Sequence, residues 1–512
     1  MHLYYIYIVK QVNEMLENNI NNNINFKGTT DCYVLSDVHQ EARKFADFLD
    51  TISKNSKNMS NVLLLNNGDL FGGVYSRNLT KNLLIDFKKK NPYIEVVTTL
   101  GNNDFISEPG YDENGVAQNA QTQHSFIKSA IKDFNKAGIK VVCANIKDKS
   151  GNIPDGIQPY STVYRDGDKI LITGYCIERK DKSMQDNYNL LKEEETIDLL
   201  KKAIDKEKPD AVILLNHDYK GVCKKLKQHA ETNGIKIDFT VGGHDHEHSY
   251  HDLKERVYHP QAFAREMFNF KLVIPSKEQK EQSEIEDFNS IYPSAEYDNE
   301  KVEQEESLTG LSEEIAPRKV YNLKTRYAHP NPLGTFVADS IKEIANADAG
   351  FVIGSAIRSP IEKDDSAITK YDTKTALPRG NTKVSKVELT PLELKDLLSA
   401  SIEGIYTLKE ENGNFFQCSS NVKIVAEKNN DEKSEIKEIY IDNDNILDSK
   451  NLDKKYVIAI DGFSARNLEN KIDLDSNMLD ALETKLKKEA KQPTKQGDYP
   501  VFEIICDGEK YV

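Results

Sequence analysis

The chain has 512 residues, a length that favours two or more domains over one core. Hydrophobic residues make up 38% and charged residues 29%, the profile of a globular protein with a polar surface. The formal net charge of −15 opposes sequence-independent grip on nucleic acid, whereas a small phosphorylated substrate stays within reach of a locally positive site.

Residues 1–9 are apolar and aromatic, with no basic segment before them and no small-residue cleavage site after them. An Asn-rich run over 18–25 follows, so residues 1–30 are expected to be a flexible lead-in. No segment approaches the roughly 20 apolar residues of a membrane span, and a cytoplasmic location is favoured.

From 31 to 274, strand-like runs alternate with amphipathic helical ones. Strands are expected at 32–35, 62–65, 94–100, 141–144, 170–173, 211–215 and 239–241, with helices such as 40–53 and 196–206 between them. The pattern reads as α/β with buried sheets. Residues 275–317 differ, with thirteen Asp/Glu against three Lys and little apolar periodicity, and are read as a solvated linker or insertion. From about 326 the pattern resumes, with helices at 333–347 and 391–403 and strands at 349–353, 422–427, 436–441 and 456–460. The expected organisation is therefore a lead-in (1–30), a first domain (31–274), an acidic linker (275–325) and a second domain (326–512). The six cysteines are scattered without C-x-x-C spacing, which fits buried reduced thiols better than disulfides or a zinc knuckle.

Seven residues of the first domain stand out: Asp37, His39, Asp69, Asn102, His217, His244 and His246. Each lies in a short signature close behind an apolar run, and Asp37, Asp69, Asn102, His217 and His244 fall two to four residues beyond an expected strand end. Loops at the carboxyl edge of such a sheet converge on one crevice. Alone each motif is weak, since an Asp after a strand is often a helix N-cap. Together, hard oxygens and imidazole nitrogens suit a pair of divalent transition metals better than calcium or a thiolate site.

These signatures (Asp37-Val38-His39, Gly68-Asp69, Gly101-Asn102, Asn216-His217 and Gly243-His244-Asp245-His246) resemble those of the calcineurin-like metallophosphoesterases, and within them the 5′-nucleotidase branch. The resemblance implies an N-terminal metallophosphoesterase β-sandwich flanked by helices and a C-terminal α/β substrate-binding domain, α/β (α+β) overall. It implies that Asp37, His39 and His246 bind one metal and Asn102, His217 and His244 the other, with Asp69 bridging; the ions could be Mn, Zn, Fe or Co. A metal pair clamps phosphoryl oxygens and lowers the pKa of an attacking water. The similarity continues through Asn331-Pro332-Leu333-Gly334, Gly354-Ser355-Ala356-Ile357-Arg358, Leu377-Pro378-Arg379-Gly380-Asn381-Thr382, Gly413-Asn414-Phe415-Phe416-Gln417 and Asp461-Gly462-Phe463. It assigns Arg358 to the substrate phosphate, where a guanidinium fork fits, and Phe415 and Phe463 to stacking on a base. Single Phe residues are as often core. Arg379 replaces a family Phe, and its role stays open. Relatives often work outside the cytoplasm, so a periplasmic or extracellular location stays open too.

The chain also departs from the family pattern. Where G-N-H-E-F-D is usual, it has Gly101-Asn102-Asn103-Asp104-Phe105-Ile106. Asn103 and Asp104 thus occupy the catalytic positions, but Asn103 cannot deliver the proton that the family histidine does, and its orienting Asp is Ile106. Loss of general-acid help lowers rate by roughly 10²–10⁴, most for poor leaving groups. Nothing in the sequence places His124 or His248 there as a substitute. The base-binding segment differs as well, with Arg466-Asn467-Leu468-Glu469-Asn470 where S-G-G-D-G is usual. The leading expectation is a dinuclear-metal phosphohydrolase acting on nucleotides or related phosphorylated metabolites with altered activity, since drift at a dead site would erode ligands as readily as the proton donor. A catalytically silent metal- and nucleotide-binding protein of the same fold is the alternative, and an interaction module presenting the acidic stretch is a third. Oligomeric state is not legible.

Overall fold

A computed structural model describes residues 28–510, apart from 58, 72–75, 106–119, 166, 178–181, 247–248, 253, 276–282, 295–299, 319–320, 326–328, 362–365, 403–414, 429–433 and 493–496. The first domain opens with β1 (Gly28–Leu35), α1 (Ala42–Asn55), β2 (Val62–Asn66), α2 (Arg77–Lys90), β3 (Glu95–Thr98), α3 (Ala120–Ala137) and β4 (Lys140–Val141). It continues with β5 (Tyr160–Arg165), β6 (Asp168–Cys176), α4 (Glu193–Glu207), β7 (Ala211–His217), α5 (Lys220–Thr232), β8 (Phe239–Gly242), β9 (Tyr250–Asp252), β10 (Val257–His259), β11 (Met267–Ile274) and β12 (Glu284–Ile291).

Two six-stranded sheets result, in the orders β12-β11-β1-β2-β3-β4 and β9-β10-β8-β7-β6-β5. Strands β1 to β4 pair in parallel, as do β6-β7-β8-β10. Side chains alternate across each strand. In β1, Cys32 and Val34 enter the core between the sheets with Leu63, Leu65, Ile213 and Val241, while Tyr33 and Leu35 face the helices. Helix α1 buries Phe45, Phe48, Leu49 and Ile52 on one stripe, each side chain contributing about 1.5–3 kcal/mol. The domain is thus a β-sandwich with a helical layer on each outer face.

The acidic stretch is not a free linker. Residues 284–291 form β12, the edge strand on β11, and residues 300–308 form helix α6 (Glu300–Leu308). The alternation that would have marked a strand is broken: the register shifts opposite 269–271 and Asp287 takes φ 51°. Beyond that irregularity Phe288 packs on Tyr258, Phe268 and Phe270, with ring centroids 4.9–6.2 Å apart.

The second domain contains α7 (Pro332–Ala345), β13 (Ala349–Ile353), α8 (Lys370–Ala376), β14 (Lys383–Leu389), α9 (Pro391–Ile402), β15 (Phe416–Cys418), β16 (Val422–Lys428), β17 (Ser434–Ile441), β18 (Asp444–Asn445), β19 (Tyr456–Asp461), β20 (Ile472–Asn477), α10 (Met478–Glu489), β21 (Glu503–Cys506) and β22 (Glu509–Lys510). Its sheets run β15-β13-β19-β14-β20 and β18-β17-β16-β21-β22 around one core. Asn331 caps α7, its side chain accepting from the Gly334 N–H at 2.8 Å, and Pro332 fits the first turn. All six cysteines are free thiols, five of them buried.

The domains meet at the start of α1. Arg43 forms a forked pair with Glu306 of α6 (2.7 and 2.5 Å) and reaches Asp372 at 3.3 Å. Its guanidinium also lies 4.0 Å over the Tyr371 ring. Among the described residues, no helix is long and apolar enough to cross a membrane.

Candidate metal centre

The carboxyl ends of β1, β2, β7 and β8 bring six of the seven predicted residues, Asp37, His39, Asp69, His217, His244 and His246, to one crevice. Two donor sets form there, Asp37/His39/Asp69/His246 and Asp69/His217/His244, with potential ligand atoms within 4.8 Å of one another in each. Asp69 belongs to both. His217 Nε2 lies 3.2 Å from Asp69 Oδ2, and His246 Nε2 lies 3.3 Å from Asp37 Oδ1. The Nε2 atoms of His39 and His246 are 3.0 Å apart. His217 is the last residue of β7, and its Nδ1 meets the Asn67 carbonyl at 2.6 Å; an Nδ1–H donated there leaves Nε2 free for a cation.

Backbone conformation sets this convergence. Asp37, His39, Asp69, His244 and His246 all have positive φ, between 50° and 74°, where L-residues are disfavoured by roughly 1 kcal/mol or more. Hydrogen bonds hold the turns: Asp37 N–H donates to Gly68 O (3.1 Å), His39 N–H to Asp69 O (2.9 Å) and His244 N–H to Asp37 Oδ2 (3.1 Å). Gly101 is required because any Cβ there would collide with the Asp69 carboxylate.

The electrostatics favour a cation at the centre. Burial opposes charge on Asp37 and Asp69, yet the surrounding imidazoles, His217 first, hold both carboxyls below the usual range. Burial also opposes a proton on His217, but the Asp69 and Asp37 carboxylates outweigh it and push the imidazole up to about 10, so a cation bound at Nε2 would displace a proton that these carboxylates otherwise hold there. Burial pushes His244 and His246 down to about 4, so both are neutral, the ligand form of imidazole. The donor chemistry and the shared carboxylate therefore fit two divalent cations.

Asn102 opens the buried 3-10 turn Asn102–Phe105. The Asn103 N–H donates to Asp69 Oδ1 (2.6 Å), and its side-chain amide donates to Asp69 Oδ2. Asp104 accepts from the backbone N–H groups of Asp69 (3.0 Å), Phe71 (3.0 Å) and Gly101 (2.8 Å), tying the two loops together. Burial, with Asp69 nearby, pushes its carboxyl up to about 7. Ile106, His248, the His124 side chain and Gly413-Asn414 lie outside the described residues.

The second domain contributes Arg358, whose Nη1 is 3.1 Å from His246 Nδ1. Its backbone is held from both sides: the N–H donates to Ala376 O (3.0 Å), and the carbonyl accepts from Arg265 Nη2 (3.3 Å). Neighbouring Ser359 hydrogen-bonds Glu41 of the first domain. The two predicted stacking residues separate. Phe415 is 2% exposed in the core, beside Phe502, and its carbonyl accepts the Gly354 N–H (2.6 Å). Phe463 is 47% exposed, with the Arg466 guanidinium 4.4 Å over its ring. Asp461 joins these loops, Oδ2 accepting from Ile353 N–H (3.1 Å) and Oδ1 from Ser464 N–H (2.9 Å). Arg379 is half-buried in the turn between α8 and β14.

Phe263 was not legible as a site residue. Its ring packs on His39 (5.1 Å) and His246 (4.9 Å), with the Arg358 guanidinium 5.9 Å away. It has φ 63°, and its N–H donates to Asp37 O at 2.7 Å. Its only signal is that, like the other site residues, it lies just past a strand, here β10.

Comparison with known proteins matches residues 32–248 to the calcineurin-like phosphoesterase family and residues 310–473 to the 5′-nucleotidase C-terminal domain. No curated protein matches the chain by sequence. Among solved structures, a 5′-nucleotidase precursor from Thermus thermophilus has a similar fold at 17% identity and TM-score 0.66, over 93% of this chain and 99% of that one. A sulfate thiohydrolase, SoxB, from the same organism aligns at 12% identity and TM-score 0.64, over 92% and 83%. A 5′-nucleotidase from Candida albicans aligns at 12% identity and TM-score 0.58, over 90% and 98%. At these identities the likeness establishes the fold.

Proposed function

The chain is a metallophosphoesterase of the 5′-nucleotidase family, a calcineurin-like phosphoesterase domain followed by a 5′-nucleotidase C-terminal domain, and we propose that it hydrolyses nucleotides or related phosphorylated metabolites that carry good leaving groups. The observation that carries this reading is the pair of donor sets sharing Asp69, with Arg358 of the second domain 3.1 Å from His246.

Asp37, His39, Asp69 and His246 would hold one cation, and Asp69, Asn102, His217 and His244 the other. When bound, the cations supply positive charge for the phosphoryl oxygens and lower the pKa of an attacking water. Arg358 orients the phosphate through its guanidinium fork. Asn103 has an amide that already donates to Asp69, and it holds no proton to give. The leaving group therefore departs without general-acid help, which favours phosphoanhydrides and aryl phosphates over ribose esters.

Phosphate release should be measured with manganese, cobalt or zinc on nucleoside monophosphates, cyclic nucleotides, nucleotide sugars and an aryl phosphate. Turnover of the last two classes above nucleoside monophosphates is the expected result. Wild type no more active than Asp69→Asn on every substrate, while still binding metal, would sink the hydrolase reading. It would leave the alternative that the Asn103–Asp69 contact favours, a silent metal- and nucleotide-binding protein.

A further inference from the structure

Behind the turn that carries His244 and His246 lies a buried histidine with no part in the chemistry above. His259 ends β10 and is 3% exposed. Parallel pairing of Thr240 with Val257 and Val241 with Tyr258 sets it beside the end of β8. Its imidazole fills the space that a side chain at residue 242 would need, because any Cβ on Gly242 would run into the ring. The backbone therefore passes directly over His259 before entering Gly243-His244-Asp245-His246.

Neither ring nitrogen of His259 has a hydrogen-bond partner among the described residues, an expensive state for a buried polar group. The group facing it is Asp245, whose Oδ1 lies 3.6 Å from Nδ1. The other Asp245 oxygen, Oδ2, accepts the Lys220 backbone N–H at 3.2 Å. Asp245 sits between the two histidines, both in left-handed backbone, at φ 74° and 55°. A turn with two such residues has competing conformations, and holding the side chain between them from two sides selects one.

We infer that His259 is a positioning residue: through Asp245 it fixes the turn that presents His244 to one donor set and His246 to the other. This rests on the cation-binding reading of the site. Closing 3.6 Å to a hydrogen bond takes a small side-chain adjustment, with Nδ1–H donating to the carboxylate. Partners of this kind behind metal-binding groups typically govern affinity by 10–100-fold.

The test uses the full chain stripped with a chelator, with Mn²⁺ binding read by isothermal titration calorimetry beside a thermal melt. His259→Phe keeps ring volume beneath Gly242 and removes the donor; His259→Asn keeps an N–H near the Nδ1 position. The expected result is two Mn²⁺ per wild-type chain, binding weakened about 10–100-fold in His259→Phe, and most of it restored in His259→Asn. Wild-type affinity in a folded His259→Phe overturns the inference. So does equal weakening in both variants with matched losses of melting temperature, since packing alone would explain it. Should His259→Phe not fold, Asp245→Asn replaces it under the same criteria, because it removes the charge facing the ring and keeps an oxygen for Lys220. A wild type that binds no Mn²⁺ overturns the cation reading itself, and this inference with it.

Discussion

The crevice of the first domain and the family-like loops of the second both carry signatures read from the sequence, yet they differ in how strictly the fold holds them. In the crevice, Asp37, His39, Asp69, Asn102 and His217 are each at most 3% exposed, and backbone bonds run between the loops. In the second domain the two aromatic candidates part company, Phe415 in the core and Phe463 47% exposed. A cation pair needs many donors converging in fixed geometry, so each loop constrains the others. A stacking platform needs one flat face, which many residues can supply, and its surroundings are free to change.

The strongest way to break this contrast is Asp69→Asn, which removes the carboxylate common to both donor sets. Phosphate release should fall to background, and metal analysis should show less than the full complement of cations; full activity would mean the crevice is not the reaction site. Next, Phe415→Ala should destabilise the second domain by about 3–5 kcal/mol, read as a lower melting temperature. A stable variant with a raised KM would return Phe415 to the substrate. Asn103→His, best combined with Ile106→Asp, should raise turnover of nucleoside monophosphates by up to about 10²-fold and barely change an aryl phosphate. No gain would count against a missing proton donor as the cause of altered selectivity. The smallest effect belongs to Phe463→Ala, which should leave melting unchanged. If a base stacks there, loss of about 0.5–1.5 kcal/mol raises the KM for nucleotides roughly two- to tenfold, without the same change for an aryl phosphate.

What could be read from sequence follows the same division. Runs such as Val62-Leu63-Leu64-Leu65 announce buried parallel strands, and polar residues just beyond them were bound to meet at one edge. Phe263 packs on the imidazoles of His39 and His246, and His259 lies behind the turn of His244 and His246, contacts of shape that no apolar periodicity marks. Strand β12 was hidden for another reason. Its apolar residues Ile285, Phe288 and Ile291 fall three apart because the chain bulges at Asp287, so they look like neither strand nor helix in an acidic stretch. Phe415 shows the converse, a family-like position whose ring the local packing turns inward while its carbonyl supports the Arg358 loop.

The left-handed backbone at five of the seven crevice positions bears on how the site should be dissected. Asp, Asn and His tolerate that conformation better than most side chains, so the residues there answer two demands at once, one of shape and one of charge. Alanine or valine at these positions would disturb both, and a lost activity could then be traced to neither. Asparagine keeps the bend while removing the negative charge of the carboxylate or the imidazole ring, so a set of single Asn replacements at Asp37, His39, Asp69, His244 and His246 can separate the turn from the charge or ring it presents.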